Sequence, residues 1–155
     1  MNRMLKDYID RFYSKEAKRS KLLVADNYKK AKEIAAWKQE VVAKWDSIEI
    51  KSVNLPEAIL YSPHVGEEYP IEVAIDPKGL GNCIGVELVV TPVEDGQMKP
   101  YQVYELNVIK TTADSTVFHI DYQLSAAGTY KYSFRMYPKN PDLPHRQDFA
   151  YVRWF

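Results

Sequence analysis

The spacing of apolar residues changes once along the chain, near Ile48, from steps of three and four to steps of two. Within Asn2–Tyr13, the residues Met4, Leu5, Tyr8, Ile9, Phe12 and Tyr13 recur as neighbouring pairs four positions apart. That repeat lays one broad apolar stripe on a helix of about three turns. Ser14 predicts a break and an N-cap. A second helix is expected from about Lys15 to Trp45, with Val24, Tyr28, Ala31, Ile34, Ala35, Trp37, Val41, Val42 and Trp45 along one side and Lys and Glu opposite. At about 1.5 Å per residue it would be some 45 Å long, more than the width of a β domain whose radius of gyration is near 13 Å. Its stripe, which includes two tryptophans, therefore needs cover from the first helix in a hairpin or from a partner chain.

From Ile48 onward the period is that of strands. They are expected at Ile48–Leu55, Pro70–Asp76, Ile84–Thr91, Tyr101–Thr111, Thr116–Leu124, Thr129–Tyr137 and Phe149–Phe155, with a weaker one at Ala58–Tyr61. Turn chemistry separates them, as at Asp76-Pro77-Lys78-Gly79, Glu94-Asp95-Gly96 and Ala126-Ala127-Gly128. All nine prolines and all six glycines lie after Leu55, which fits a helical arm followed by an all-β region. The expected division is a helical arm over 1–47 and a β-sandwich over 48–155, a mainly β chain in which two α-helices precede the sandwich.

The run Ala127-Gly128-Thr129-Tyr130-Lys131-Tyr132-Ser133-Phe134 resembles the entry to strand F of immunoglobulin-like sandwiches. There a Gly precedes a Tyr whose hydroxyl bonds back to the turn backbone, and the residue two further on points into the core. Tyr130 would be that corner tyrosine and Tyr132 the inward residue. A Trp of the antibody type on strand C is not evident, so a fibronectin-like or early-set variant is expected.

Formal net charge is zero, yet residues 1–47 carry twelve Lys/Arg against seven Asp/Glu, and residues 48–155 carry nine against fourteen. Opposite signs favour contact between an arm and a β domain, of the same chain or of a second copy. The arm has no Arg cluster and no reading motif, so nucleic acid is not an expected partner. Cys83 is the only cysteine, which excludes an internal disulfide and favours a reducing compartment. The start lacks an apolar signal core and no apolar run approaches membrane-spanning length, so a soluble, cytoplasmic chain is expected.

No catalytic constellation emerges. His64, His119 and His145 lack metal-ligand spacing, and no nucleophile elbow, Walker loop or dinucleotide fingerprint is present. Gly79-Leu80-Gly81-Asn82 is not followed by a helix, so it offers no phosphate cradle. His119 alternates with Phe118 and Ile120, which assigns it to the solvated face of its strand. Glu72 and Glu87 are likewise expected to face solvent. Catalytic, cofactor and metal residues are therefore expected to be none.

The two ends carry a resemblance. Asn2-Arg3-Met4-Leu5-Lys6-Asp7-Tyr8-Ile9-Asp10-Arg11-Phe12-Tyr13 is similar to the segment that closes the catalytic part of short-type bacterial and archaeal α-glucan (glycogen) phosphorylases, with an R-M-[VL]-x-[ED]-Y-x-x-x-[FY]-Y pattern. The far end, from Arg135-Met136-Tyr137-Pro138 through Leu143-Pro144-His145 to Arg153-Trp154, resembles that family's P-x-x-P-x-L-P-H…R-W ending. The resemblance implies a C-terminal fragment of a glycosyltransferase that uses pyridoxal phosphate and inorganic phosphate to release glucose 1-phosphate from α-1,4-glucans. The family's cofactor lysine lies upstream of the R-M-[VL] segment, so the cofactor belongs to the parent enzyme and not to these residues. The implied partners are the missing catalytic lobes. An accessory module with a structural or oligomerising role is expected; the alternative is a carbohydrate-binding module with Tyr137, Tyr151 and Trp154 as glycan contacts beside a stiff Pro138–Pro144 loop.

Overall fold

In the computed structural model, Arg3 and residues 14–143 and 145–155 are described. The helix expected over Asn2–Tyr13 lies, apart from Arg3, outside them. The chain forms two compact units, Met1–Val42 and Ala43–Phe155.

α1 spans Ser14–Lys44, most of it within the first unit. The single long helix expected there is interrupted. Ala25 is extended, and Asp26, Asn27 and Tyr28 all take left-handed φ of 50°, 56° and 62°. Asp and Asn tolerate this conformation because their short side chains bond locally, and both are weak helix formers. Leu22, Val24, Tyr28 and Val42 stay about half exposed on the arm. No described helix is long and apolar enough to cross a membrane.

The second unit is antiparallel throughout. β1 (Glu49–Asn54), β2 (Glu68–Asp76), β7 (Thr116–Gln123) and β6 (Asn107–Thr111) form one sheet in the order β1-β2-β7-β6. β4 (Gln97–Met98), β3 (Ile84–Glu94), β8 (Thr129–Pro138) and β9 (Arg153–Trp154) form the other, in which β5 (Gln102–Glu105) also pairs with β3. The β3–β4 turn uses Asp95 and Gly96 at φ of 52° and 74°, the double positive φ that tight hairpins need. Alternate residues of both sheets build the core: Ile71, Val73 and Ile75 of β2 and Phe118 of β7 on one side, Val86 and Leu88 of β3 with Phe134 and Met136 of β8 on the other. Tyr104 of β5 meets Tyr122 of β7 edge-on at 5.2 Å, a contact from one sheet to the other.

Four local expectations change. The strand expected over Tyr101–Thr111 is two strands in different sheets. Leu106 is buried at the crossing and donates its N–H to the Val86 carbonyl, after which Asn107 pairs with β7. Ala58–Tyr61 is helical, within α2 (Glu57–Tyr61), because Pro56 has no N–H for a ladder and its fixed φ starts a helical turn. The terminal strand shrinks to β9, since Phe149 ends a 3₁₀ turn and the Tyr151 N–H turns back to the Phe149 carbonyl at 2.9 Å. Tyr132 is 49% exposed: it borders an apolar cavity of about 310 Å³ with Leu55, Ile59, Leu88 and Tyr130, and Phe134 takes the core position instead. The corner bond is present, with the Tyr130 hydroxyl donating to the Ala126 carbonyl at 2.8 Å.

Candidate functional site: the outer face of the second sheet

Register decides which side chains share the outer face. Glu105 of β5 lies opposite Glu87 of β3, Glu87 opposite Arg135 of β8, and Arg135 opposite Trp154 of β9. One row therefore crosses four strands as Glu, Glu, Arg, Trp. In the neighbouring row Gly85 faces Tyr137. The absence of a side chain at Gly85 is required there: a Cβ would meet the Tyr137 ring at 2.4 Å.

Glu87 anchors the row. Its side chain is almost wholly buried, and it accepts from Arg135 Nε at 2.7 Å and from Arg146 Nη1. Arg146 comes from the loop after β8, so the buried carboxylate ties that loop to the sheet. The Arg146 guanidinium also lies over the Tyr137 ring at 3.9 Å and donates to its hydroxyl at 2.9 Å. Tyr137 in turn donates to Glu105 Oε1 at 3.0 Å, and Lys139 Nζ donates to the same oxygen at 2.5 Å. Burial, together with the Glu105 bond, pushes the Tyr137 hydroxyl far above its ordinary range. Burial works against ionising Glu105, but Lys139 and Tyr137 outweigh it and hold the carboxyl below its ordinary value. On the inner side, burial and the neighbouring Tyr104 raise Tyr122 to about 12.

Glu87 corrects the expectation of a solvent-facing carboxylate. The signal was its setting: a lone carboxylate inside Ile84–Val90, an otherwise apolar run that suits a strand covered on both faces. Such a charge needs a partner, because an unpaired buried carboxylate is prohibitively costly. His119 does lie across from Glu72 on the outer face of the first sheet, with Nε2 3.2 Å from Asp121 Oδ1. Among the described residues no group of His, Cys, Asp and Glu is arranged to hold a metal ion.

The three expected glycan contacts fare differently. Tyr137 is 5% exposed, beneath Arg146. Tyr151 is held by Trp45, edge-on at 5.9 Å, and by Phe149 at 4.9 Å. Trp154 is 52% exposed, with the Arg135 guanidinium 5.3 Å from its ring centroid. It lines a shallow depression of about 300 Å³ together with Tyr101, Lys131, Ser133, Arg135 and Thr91. Tyr101, 62% exposed, heads the strand expected over Tyr101–Thr111 but stands just before β5, and its approach to Trp154 of β9 is a tertiary event that no local pattern marks.

Residues 45–155 match the family described as Glycogen phosphorylase C-terminal domain. The chain is 27% identical to a maltodextrin phosphorylase of Thermococcus litoralis, over 99% of this chain and 18% of that protein. It is 24% identical to the glycogen phosphorylases of Mycobacterium bovis and Mycobacterium tuberculosis, over 97% of this chain and 18% of each relative. The chain thus spans under a fifth of the length of these curated relatives. No solved structure matches it.

Proposed function

The chain belongs to the glycogen phosphorylase C-terminal domain family, and we propose that it acts as a non-catalytic accessory module of an α-glucan phosphorylase. The parent reaction is phosphorolysis of α-1,4-glucan to glucose 1-phosphate, in the cytoplasm. The observation that carries the reading is the family match over 45–155, which runs through the β unit beginning at Ala43. The chemistry of that unit agrees with it. Glu87, Glu105, Arg135, Arg146 and Lys139 spend their charges on one another, which fixes a loop and leaves no poised acid, base or nucleophile among them.

Pyridoxal phosphate belongs, on this reading, to the remainder of the parent. Lys139 is held by Glu105, Lys78 by Asp76 and Glu49, and no lysine lines the apolar cavity, so these residues do not fit the cofactor. The β unit is read as an immunoglobulin-like sandwich of the fibronectin or early-set type, on the strength of the strand order and the Tyr130 corner bond. The arm is read as the element that docks on the catalytic lobes, because it keeps Leu22, Val24 and Tyr28 in solvent. Incubating the purified chain with glycogen and phosphate, with and without added pyridoxal phosphate, tests the core of the reading. No glucose 1-phosphate is expected; turnover that scales with the chain's concentration would overturn it.

A further inference from the structure

We propose that the depression beside β9 is a surface subsite for a linear α-1,4-glucan, with Trp154 and Tyr101 as ring platforms and Lys131, Arg135 and Thr91 as the polar rim. This deepens the accessory-module reading and rests on it for the identity of the polymer. A glucan presents apolar ring faces edged by hydroxyls, so it needs exposed aromatic planes with hydrogen-bonding groups beside them. The depression supplies both. Trp154 and Tyr101 keep more than half of their surface in solvent, and Lys131 has no ion-pair partner among the described residues.

The platform is also held in place before any ligand arrives. Phe134 and Phe155 exchange both backbone hydrogen bonds at 3.0 Å, fixing the strand that carries Trp154. Arg135 stands at the indole and is itself pinned to the buried Glu87 at 2.7 Å. Preorganised side chains lose little entropy on binding. Two competing occupants fit less well. A polyanion is disfavoured because Arg135 is already neutralised by the buried Glu87, which leaves Lys131 alone among the described lining residues to meet repeated negative charge. A protein partner is disfavoured because the apolar lining, Val89, Tyr101, Tyr132 and Trp154, is confined to this one depression of about 300 Å³ and edged by Thr91, Lys131 and Ser133, too little surface for a stable protein interface.

Calorimetric titration of the full 155-residue chain with maltoheptaose, and with cellohexaose as a control of linkage, tests the proposal. Maltoheptaose is expected to bind in the millimolar range or tighter and cellohexaose not to bind. Trp154→Ala should weaken binding at least about tenfold, as loss of a central aromatic anchor does. Tyr101→Ala, in an exposed segment where misfolding is not at issue, should weaken it about threefold or more. Tyr61→Ala, which removes an 81% exposed aromatic outside the depression, should change nothing. Absence of binding, equal binding of cellohexaose, or unchanged affinity in both Trp154→Ala and Tyr101→Ala would overturn the subsite. None of these outcomes bears on glucose 1-phosphate release, so failure here and failure of the accessory-module reading are distinguishable.

Discussion

Gly85 and Glu87 show how much two positions of one strand determine. Gly85 leaves the space that the Tyr137 ring occupies, and that ring is clamped by Arg146 above and Glu105 beside it. It cannot swing away, so Gly85→Ala should destabilise the chain by about 2 kcal/mol through overpacking, read as a lower urea midpoint. Glu87→Ala strips the buried partner from two arginines and should cost about 3 kcal/mol. Arg146→Ala should cost less, about 1 kcal/mol, because that side chain is half in solvent. Glu105 supplies a pH signature. Its carboxyl is held low in the folded state, so its stabilisation is complete above the ordinary carboxylate range and is lost as pH falls through the lowered value. Stability of the wild-type chain should therefore drop more steeply below about pH 4.3 than that of Glu105→Gln, a difference that urea melts at stepped acid pH would reveal.

At the scale of elements, what was legible in the sequence was whatever depends on local period. Strands β2, β7 and β8 fall where alternation placed them, and β3 where a short apolar run between turns placed it, because β3 is covered on both faces. What was not legible depends on pairing. The step from β5 to β6 keeps its alternation through Leu106 while the chain changes sheets, so nothing in the period marks the crossing. The same limit hid the polar row. Glu105, Glu87, Arg135 and Trp154 are far apart in sequence and become neighbours only through register. Trp154 was visible as a candidate because it lies in the last expected strand amid aromatics, whereas Tyr137 looked equally available and is covered by Arg146. The break in α1 was weakly signalled by Asp26-Asn27, a pair that favours turns. Three successive left-handed residues, none of them glycine, carry strain. Tyr28, with no short polar side chain to bond locally, bears most of it, so Tyr28→Gly should relieve about 1 kcal/mol, read as slower amide exchange around residue 28. Faster exchange there would show that Tyr28 is already unstrained.

For the whole molecule, the question is where the arm ends and the self-supporting part begins. The compact β unit starts at Ala43 and the family match at residue 45. Trp45 is 4% exposed and edge-on to Tyr151, and the Ile48 carbonyl accepts from Arg153 at 2.5 Å, so this short segment closes against the far end of the chain. A cut after Val42 preserves these contacts, whereas a cut after Ser47, where the change of period falls, removes the Trp45 ring. The β unit has the size and the two-sided apolar core to fold alone. Residues 43–155 should therefore unfold cooperatively in urea, while residues 48–155 should be less stable by about 3–5 kcal/mol, the usual cost of deleting a buried tryptophan. The two deletions also report on the arm. Leu22, Val24 and Tyr28 stand in solvent, and if the arm docks as proposed, a second copy is the nearest substitute for that cover. Light scattering should then find self-association that grows with concentration in the full chain and a monomer for residues 43–155. A full chain that stays monomeric at high concentration would mean that the arm's apolar residues need no partner, and the docking role assigned to it would fall.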